Sequence, residues 1–171
     1  RAITGHGQHI DMALFDCMVG VLANQGLNFL ASGEIPKRLG NAHPNLAPYA
    51  VFPCADGWFI LAVGNDRQFA GFCNVVGLGE LLDDARYTSN ADRVTNRDTL
   101  TETISDTTRT WPSDKLLAAL ENANVPAGPI NTVEQTFADP QIVHRSMKIA
   151  MKRGDDGAEI FGISQVAGKN V

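Results

Sequence analysis

A chain of 171 residues, 44% of them apolar, is long enough to bury a substantial core as one domain or a little more. Its formal net charge is −5 and no basic run exceeds the pairs Lys37-Arg38 and Lys152-Arg153, which argues against nucleic acid as a partner, since phosphate neutralisation needs concentrated cations. The absence of an apolar run of about eighteen residues argues against a membrane span, and the three scattered cysteines read as reduced core thiols of a cytoplasmic protein, not disulfides or metal ligands.

The chain opens at Arg1 and runs into Gly5-His6-Gly7-Gln8. That segment lacks the spacing and the preceding strand of a phosphate loop. From Ile10 to Ser32 apolar residues fill most positions, which predicts one long helix, apolar nearly all round, that belongs against other protein. Asp16 within it needs a partner, a cap or a cavity; a structural hydrogen bond is favoured over catalysis. Asp11 and Asp16 do not share a helix face and make a poor carboxylate pair. Gly33 and Pro36 end the helix.

Gly40 through Tyr49 follows, a loop punctuated by Pro44 and Pro48. Little of it can be helix or central strand, and an ordered loop with few charges is a common place for a site. A plain structural crossover is the competing reading. Lys37 and Arg38 beside it are candidates for meeting an anion. His43 either touches a ligand or is solvated.

Beyond the loop, Tyr49–Cys54 and Trp58–Val63 flank Ala55-Asp56-Gly57, a strong hairpin signal. Asn65 or Asp66 caps a helix to Val76 with Phe69, Phe72, Cys73 and Val76 on its core face. A short helix at Glu80–Asp83 precedes a longer one from Ser89 or Asn90 to about Thr110, with Val94, Leu100 and Ile104 as a thin apolar stripe. Ser113 caps the next, where Leu116, Leu117 and Leu120 face inward, and Pro126–Pro129 breaks the chain. Thr132 and Asp139 cap two further short helices. Lys148–Arg153 and Ala158–Phe161 around Gly154-Asp155-Asp156-Gly157 read as a second hairpin. Trp58 and Trp111 read as packing residues. Strands in antiparallel pairs, separate from helices, predict an α+β two-layer domain.

Six segments resemble, in order, the class III CoA-transferase family, also called the carnitine dehydratase/bile-acid-inducible family. They are Gly7–Asp16, Arg38–Tyr49, Phe52–Trp58, Val63–Phe69, Asn90–Arg97 and Val125–Asn131. The branch they are most similar to acts on dicarboxylic acids, as succinyl-CoA:glutarate transferases do.

The resemblance implies a small α+β domain joined to a Rossmann-like large domain, in a homodimer of interlocked chains. It implies transfer of CoA from an acyl-CoA to a small carboxylic acid through an aspartyl-CoA thioester, with CoA thioester as substrate and no covalently bound cofactor. The nucleophilic aspartate precedes the segment matching Gly7-Gln8, so a chain without it is expected to be inactive alone and to be part of a longer polypeptide. The glycine-bearing loop that covers the family's active site maps onto Gly40, Asn41, His43, Asn45 and Tyr49. Where formyl-CoA transferases carry a run of glycines, this chain has two prolines, which stiffen the cover. The helix with Leu14 and Asp16 would line the CoA side. The implied division is residues 1–32 as the end of the large-domain segment, 33–48 as linker and loop, 49–147 as the small domain and 148–171 as a return linker. Two alternatives remain: a stand-alone binding or assembly module, and an unrelated hydrolase or isomerase using His43.

Overall fold

The computed structural model describes residues 4–154 and 157–163; the expected Asp155-Asp156 turn and the segment after Ile163 lie outside them. Antiparallel strands β1 (Tyr49–Cys54) and β2 (Gly57–Ala62) pair with Phe52 opposite Phe59 and Pro53 opposite Trp58. A third strand, β3 (Ala127–Pro129), pairs with β2, so the sheet order is β1-β2-β3. The segment expected only to break the chain therefore supplies an edge strand. Pro129 and Pro53 both sit on edge strands, where a missing N–H costs least.

Alternation along β2 turns Phe59, Leu61 and Val63 into the core and leaves Trp58 58% exposed. The expectation that Trp58 packs inside is thus corrected, because the period of two places it on the opposite face from Phe59. Helix α3 (Asp66–Val76) is capped by Asn65, whose side chain accepts from the Gln68 N–H, and it buries Phe69, Phe72, Cys73 and Val76. Leu100, Ile104, Leu116 and Leu120 complete the core. Helices on one antiparallel sheet make the α+β architecture expected.

The helix expected from residue 90 to 110 is two, α4 (Asn90–Thr95) and α5 (Arg97–Thr108). Asn96 separates them, its side-chain amide donating to the Arg86 and Asp92 carbonyls; such local bonding competes with helix continuation. Helix α6 (Ser113–Asn122) follows Pro112, and Ser113 is its first residue instead of its cap. The capping oxygens come from the hairpin turn. The Asp56 carboxylate accepts from the Ser113 backbone N–H and hydroxyl, each at 2.9 Å.

Those Ser113 bonds, the hydroxyl first, hold the Asp56 carboxyl below its ordinary value. A depressed carboxyl stabilises the fold above its ordinary pKa, and that contribution is lost as pH falls through the folded value. Asp56→Asn is therefore expected to lower stability at pH 7 and to flatten the further loss below about pH 4. Urea unfolding at pH 7 and pH 3 checks this; parallel losses in both proteins would refute it.

The expected helix from Ile10 to Ser32 is also two: α1 (Leu14–Val21) and α2 (Ala23–Ser32), bent by 76°. Ala23 at the break has φ of 46°, and Gly20 and Gly26 flank it with poor helix propensity. Neither helix buries a residue; Leu14 and Leu30 are each 80% exposed. Asp16 is exposed in the first turn of α1, where the helix dipole accommodates an acid, so it needs neither cavity nor buried partner. Cys17 is exposed too, which corrects its reading as a core thiol, whereas Cys54 and Cys73 are buried and free. Burial pushes the Cys73 thiol up to about 12. No single helix among the described residues is long and apolar enough to cross a membrane; the bent pair passes on length and composition alone.

Two capped short helices, α7 (Val133–Ala138) and α8 (Pro140–His144), lead to a separate hairpin of β4 (Lys148–Lys152) and β5 (Glu159–Ile163).

Candidate functional site

The loop from Gly40 to Tyr49 is closed on itself first. The His43 N–H donates to the Tyr49 carbonyl at 2.9 Å, and the Val51 N–H donates to Asn41 Oδ1 at 3.1 Å. The His43 ring stacks on Tyr49 with centroids 5.1 Å apart. Its Nδ1 accepts the Asn45 N–H at 3.1 Å, so the neutral ring carries its proton on Nε2. His43 is half-buried and packed into the loop, so it is not a fully solvated residue. Gly40, at the exposed entry, has φ of 61°, and a Cβ there would meet nothing within 4 Å.

Three side chains from α4 and α5 then grip the loop by its main chain. Asn90 Nδ2 donates to the Asn45 carbonyl at 2.8 Å, while its Oδ1 accepts the Ala47 N–H at 3.2 Å. Arg97 donates to the carbonyls of Pro44 and Leu46 at 3.0 and 3.2 Å. Arg93 donates through Nε to the Ala47 carbonyl at 2.9 Å and through Nη1 to the Tyr87 carbonyl at 3.0 Å. The far corner of its fork meets Asp66 Oδ1 at 2.6 Å. Arg93 is 1% exposed, and its guanidinium lies 4.4 Å from the Phe69 ring centroid. A fully buried arginine is stable here because its fork is satisfied on several sides and one face rests on an aromatic ring.

On its other side the loop meets α2. Asn28 Nδ2 donates to Asn45 Oδ1 at 2.9 Å, and Asn45 Nδ2 donates back to Asn28 Oδ1 at 3.1 Å. The pair sits on a groove of about 530 Å³ whose wall includes Gln25, Asn28, Glu34, Lys37, Pro44 and Asn45. Amides with one cation and one acid suit binding and covering a polar ligand. Among the described residues no group of three or more His, Cys, Asp or Glu side chains gathers as a metal site would.

The structure thus brings Gly40, Asn41, His43, Asn45 and Tyr49 together in one folded loop. It does not bring Leu14 and Asp16 to them; among the described residues no hydrogen bond joins α1 to the loop. Sequence reasoning gave no site role to Asn28, Asn90, Arg93 or Arg97, although Asn90–Arg97 is one of the six segments that carry the resemblance. A signal for the arginines was present: in the single helix expected from the sequence, residues 93, 97, 100 and 104 share a face, and two of them are arginines on an apolar stripe. Asn28 carried none.

The CoA-transferase family III profile matches residues 1–168. The succinate–glutarate CoA-transferase of Agrobacterium fabrum is 51% identical over 160 residues, covering 94% of this chain and 40% of that one. The human succinyl-CoA:glutarate CoA-transferase is 36% identical over 149 residues, 87% of this chain and 34% of that one. Among solved structures, a CaiB/BaiF family protein from Brucella suis superposes with a TM-score of 0.69 at 53% identity, over 94% of this chain and 45% of that one. A protein from Mycobacterium tuberculosis with 21% identity shares the fold, with a TM-score of 0.77 over 96% of this chain and 42% of that one. The chain spans less than half the length of these relatives.

Proposed function

The chain belongs to CoA-transferase family III, and from that premise we propose that it is the loop-bearing part of an enzyme moving CoA from an acyl-CoA to a dicarboxylic acid. Relatives named for glutarate and mesaconate as acceptors support the dicarboxylate branch. The observation that carries the reading is the built loop of Gly40–Tyr49, gripped from one side and tied across a groove on the other.

In this reading a carboxylate supplied by another part of the polypeptide attacks the donor thioester. The CoA thiolate leaves, returns to the mixed anhydride and releases the donor acid, giving an aspartyl-CoA thioester. The acceptor carboxylate repeats the exchange in reverse. Covalent carboxylate catalysis splits one difficult transfer into easier steps, and its intermediates must be shielded from water. That shielding is the role we assign to Gly40, Asn41, His43, Asn45 and Tyr49. Leu14 and Asp16 belong to the helix on the CoA side, and the exposed apolar faces of α1 and α2 lie against the large domain or a second chain of a homodimer. Residues 49–147 form the small domain, between the linker at 33–48 and the return at 148–171. We place the enzyme in the cytoplasm.

A chimera tests this. The matched 160-residue segment of the Agrobacterium enzyme is replaced by the corresponding part of this chain. The chimera is expected to transfer CoA from succinyl-CoA to glutarate, followed by chromatography of the thioesters, whereas the 171-residue chain alone gives no transfer. A chimera that folds like its parent yet transfers CoA to no dicarboxylate would overturn the proposal. Transfer by the isolated chain would overturn its dependence on an external carboxylate.

A further inference from the structure

Asn45 is the node of the loop. Its N–H goes to His43, its carbonyl accepts from Asn90, and both atoms of its amide go to Asn28. Asn28 lies on α2, and among the described residues the two amide bonds are the only hydrogen bonds that join α1 or α2 to anything beyond Glu34. The grip of Asn90, Arg93 and Arg97 fixes the main chain of residues 44–47 to the core. The Asn28–Asn45 pair then supplies the hydrogen bonds that register the helical arm against that fixed loop. It also stands on the wall of the groove, with Lys37 and Glu34 beside it.

We propose that Asn28 is a positioning residue for CoA transfer: its reciprocal amide pair with Asn45 is a latch that holds the arm and the loop in register across the groove. The proposal rests on the CoA-transferase reading. Two amides in this arrangement each satisfy one donor and one acceptor of the other. Neither is charged, so the latch can open and reform without stranding a desolvated charge. An exposed pair also leaves global stability nearly unchanged when it is cut. Opening the latch moves the arm off the loop and widens the groove; closing it sets the groove for reaction.

The test has two arms. In the 171-residue chain, Asn28→Ala is expected to speed trypsin cleavage after the exposed Lys37 and Arg38 about fivefold, the worth of a hydrogen bond of ordinary strength. Asn45→Ala should do the same, and the double variant should be no faster than the singles, since one latch is lost once. In the chimera, Asn28→Ala should lower kcat by a similar factor with KM for succinyl-CoA and the melting temperature little changed. Cleavage unaltered by Asn28→Ala, or doubled effects that simply add, would overturn the latch. Faster cleavage with kcat intact would overturn the positioning role. If the unmutated chimera transfers no CoA while the cleavage contrast stands, the functional reading has failed and the latch has not.

Discussion

Arg93→Ala is expected to cost about 3–5 kcal/mol of folding stability, from two orphaned carbonyls and a cavity. The loss has two main sources. The carbonyls of Ala47 and Tyr87 lose their donor; an orphaned buried acceptor costs about 1–3 kcal/mol. The space beside Phe69 empties, and a cavity adds its own penalty. The Asp66 carboxylate adds little, because its side chain is 69% exposed and water replaces the bond. Arg93→Met restores the stem but no donor and should fall between alanine and wild type. Arg93→Lys restores one donor without the fork and should recover only part. Urea unfolding of the four proteins measures this; a loss below about 1 kcal/mol for alanine would show that the carbonyls find other partners.

The second large effect is expected at Gly40, and it is kinetic. In the chimera, Gly40→Val should slow turnover about fivefold to thirtyfold, corresponding to about 1–2 kcal/mol for an L residue in the left-handed region. Space is not the reason, since nothing lies within 4 Å of a Cβ there. The cost is the backbone angle, φ of 61°, which a β-branched residue resists. An exposed entry outside the grip of Asn90, Arg93 and Arg97 can relax to another shape in the resting protein. Global stability should then change by no more than about 0.5 kcal/mol, as surface substitutions do. On the proposed covering role, the strain reappears only when the loop closes over the groove. Gly40→Asn, which tolerates the left-handed region, should keep most of the turnover. Equal losses of stability and turnover in the valine variant would mean the loop only connects two elements.

Much of the body was legible where local signals agreed. Helix α3 has its cap, its core face and its end where the spacing of Phe69, Phe72, Cys73 and Val76 puts them. The Asp-Gly hairpin, the Thr132 box and the Asp139-Pro140 start are likewise local chemistry. What escaped depended on residues distant in sequence. The cap of α6 comes from Asp56, 57 residues away. Strand β3 exists because β2 offers an open edge to a segment that reads as a breaker. The break at Ala23 has no strong breaker to announce it, only glycines at a distance. In the candidate site, the loop's place was readable from its prolines and glycine, but what its anchors hold was not. Arg93 and Arg97 are buried or half-buried by bonds to carbonyls some fifty positions earlier, and a carbonyl leaves no mark on a sequence.

That last point bears on how such a loop can diverge. The grip of Asn90, Arg93 and Arg97 touches amide and carbonyl atoms that every amino acid possesses. The course of the chain over the groove is therefore written in α4 and α5, while the side chains at positions 44 and 46 remain at liberty to change. Evolution can exchange the lettering on this loop without recasting the frame that carries it.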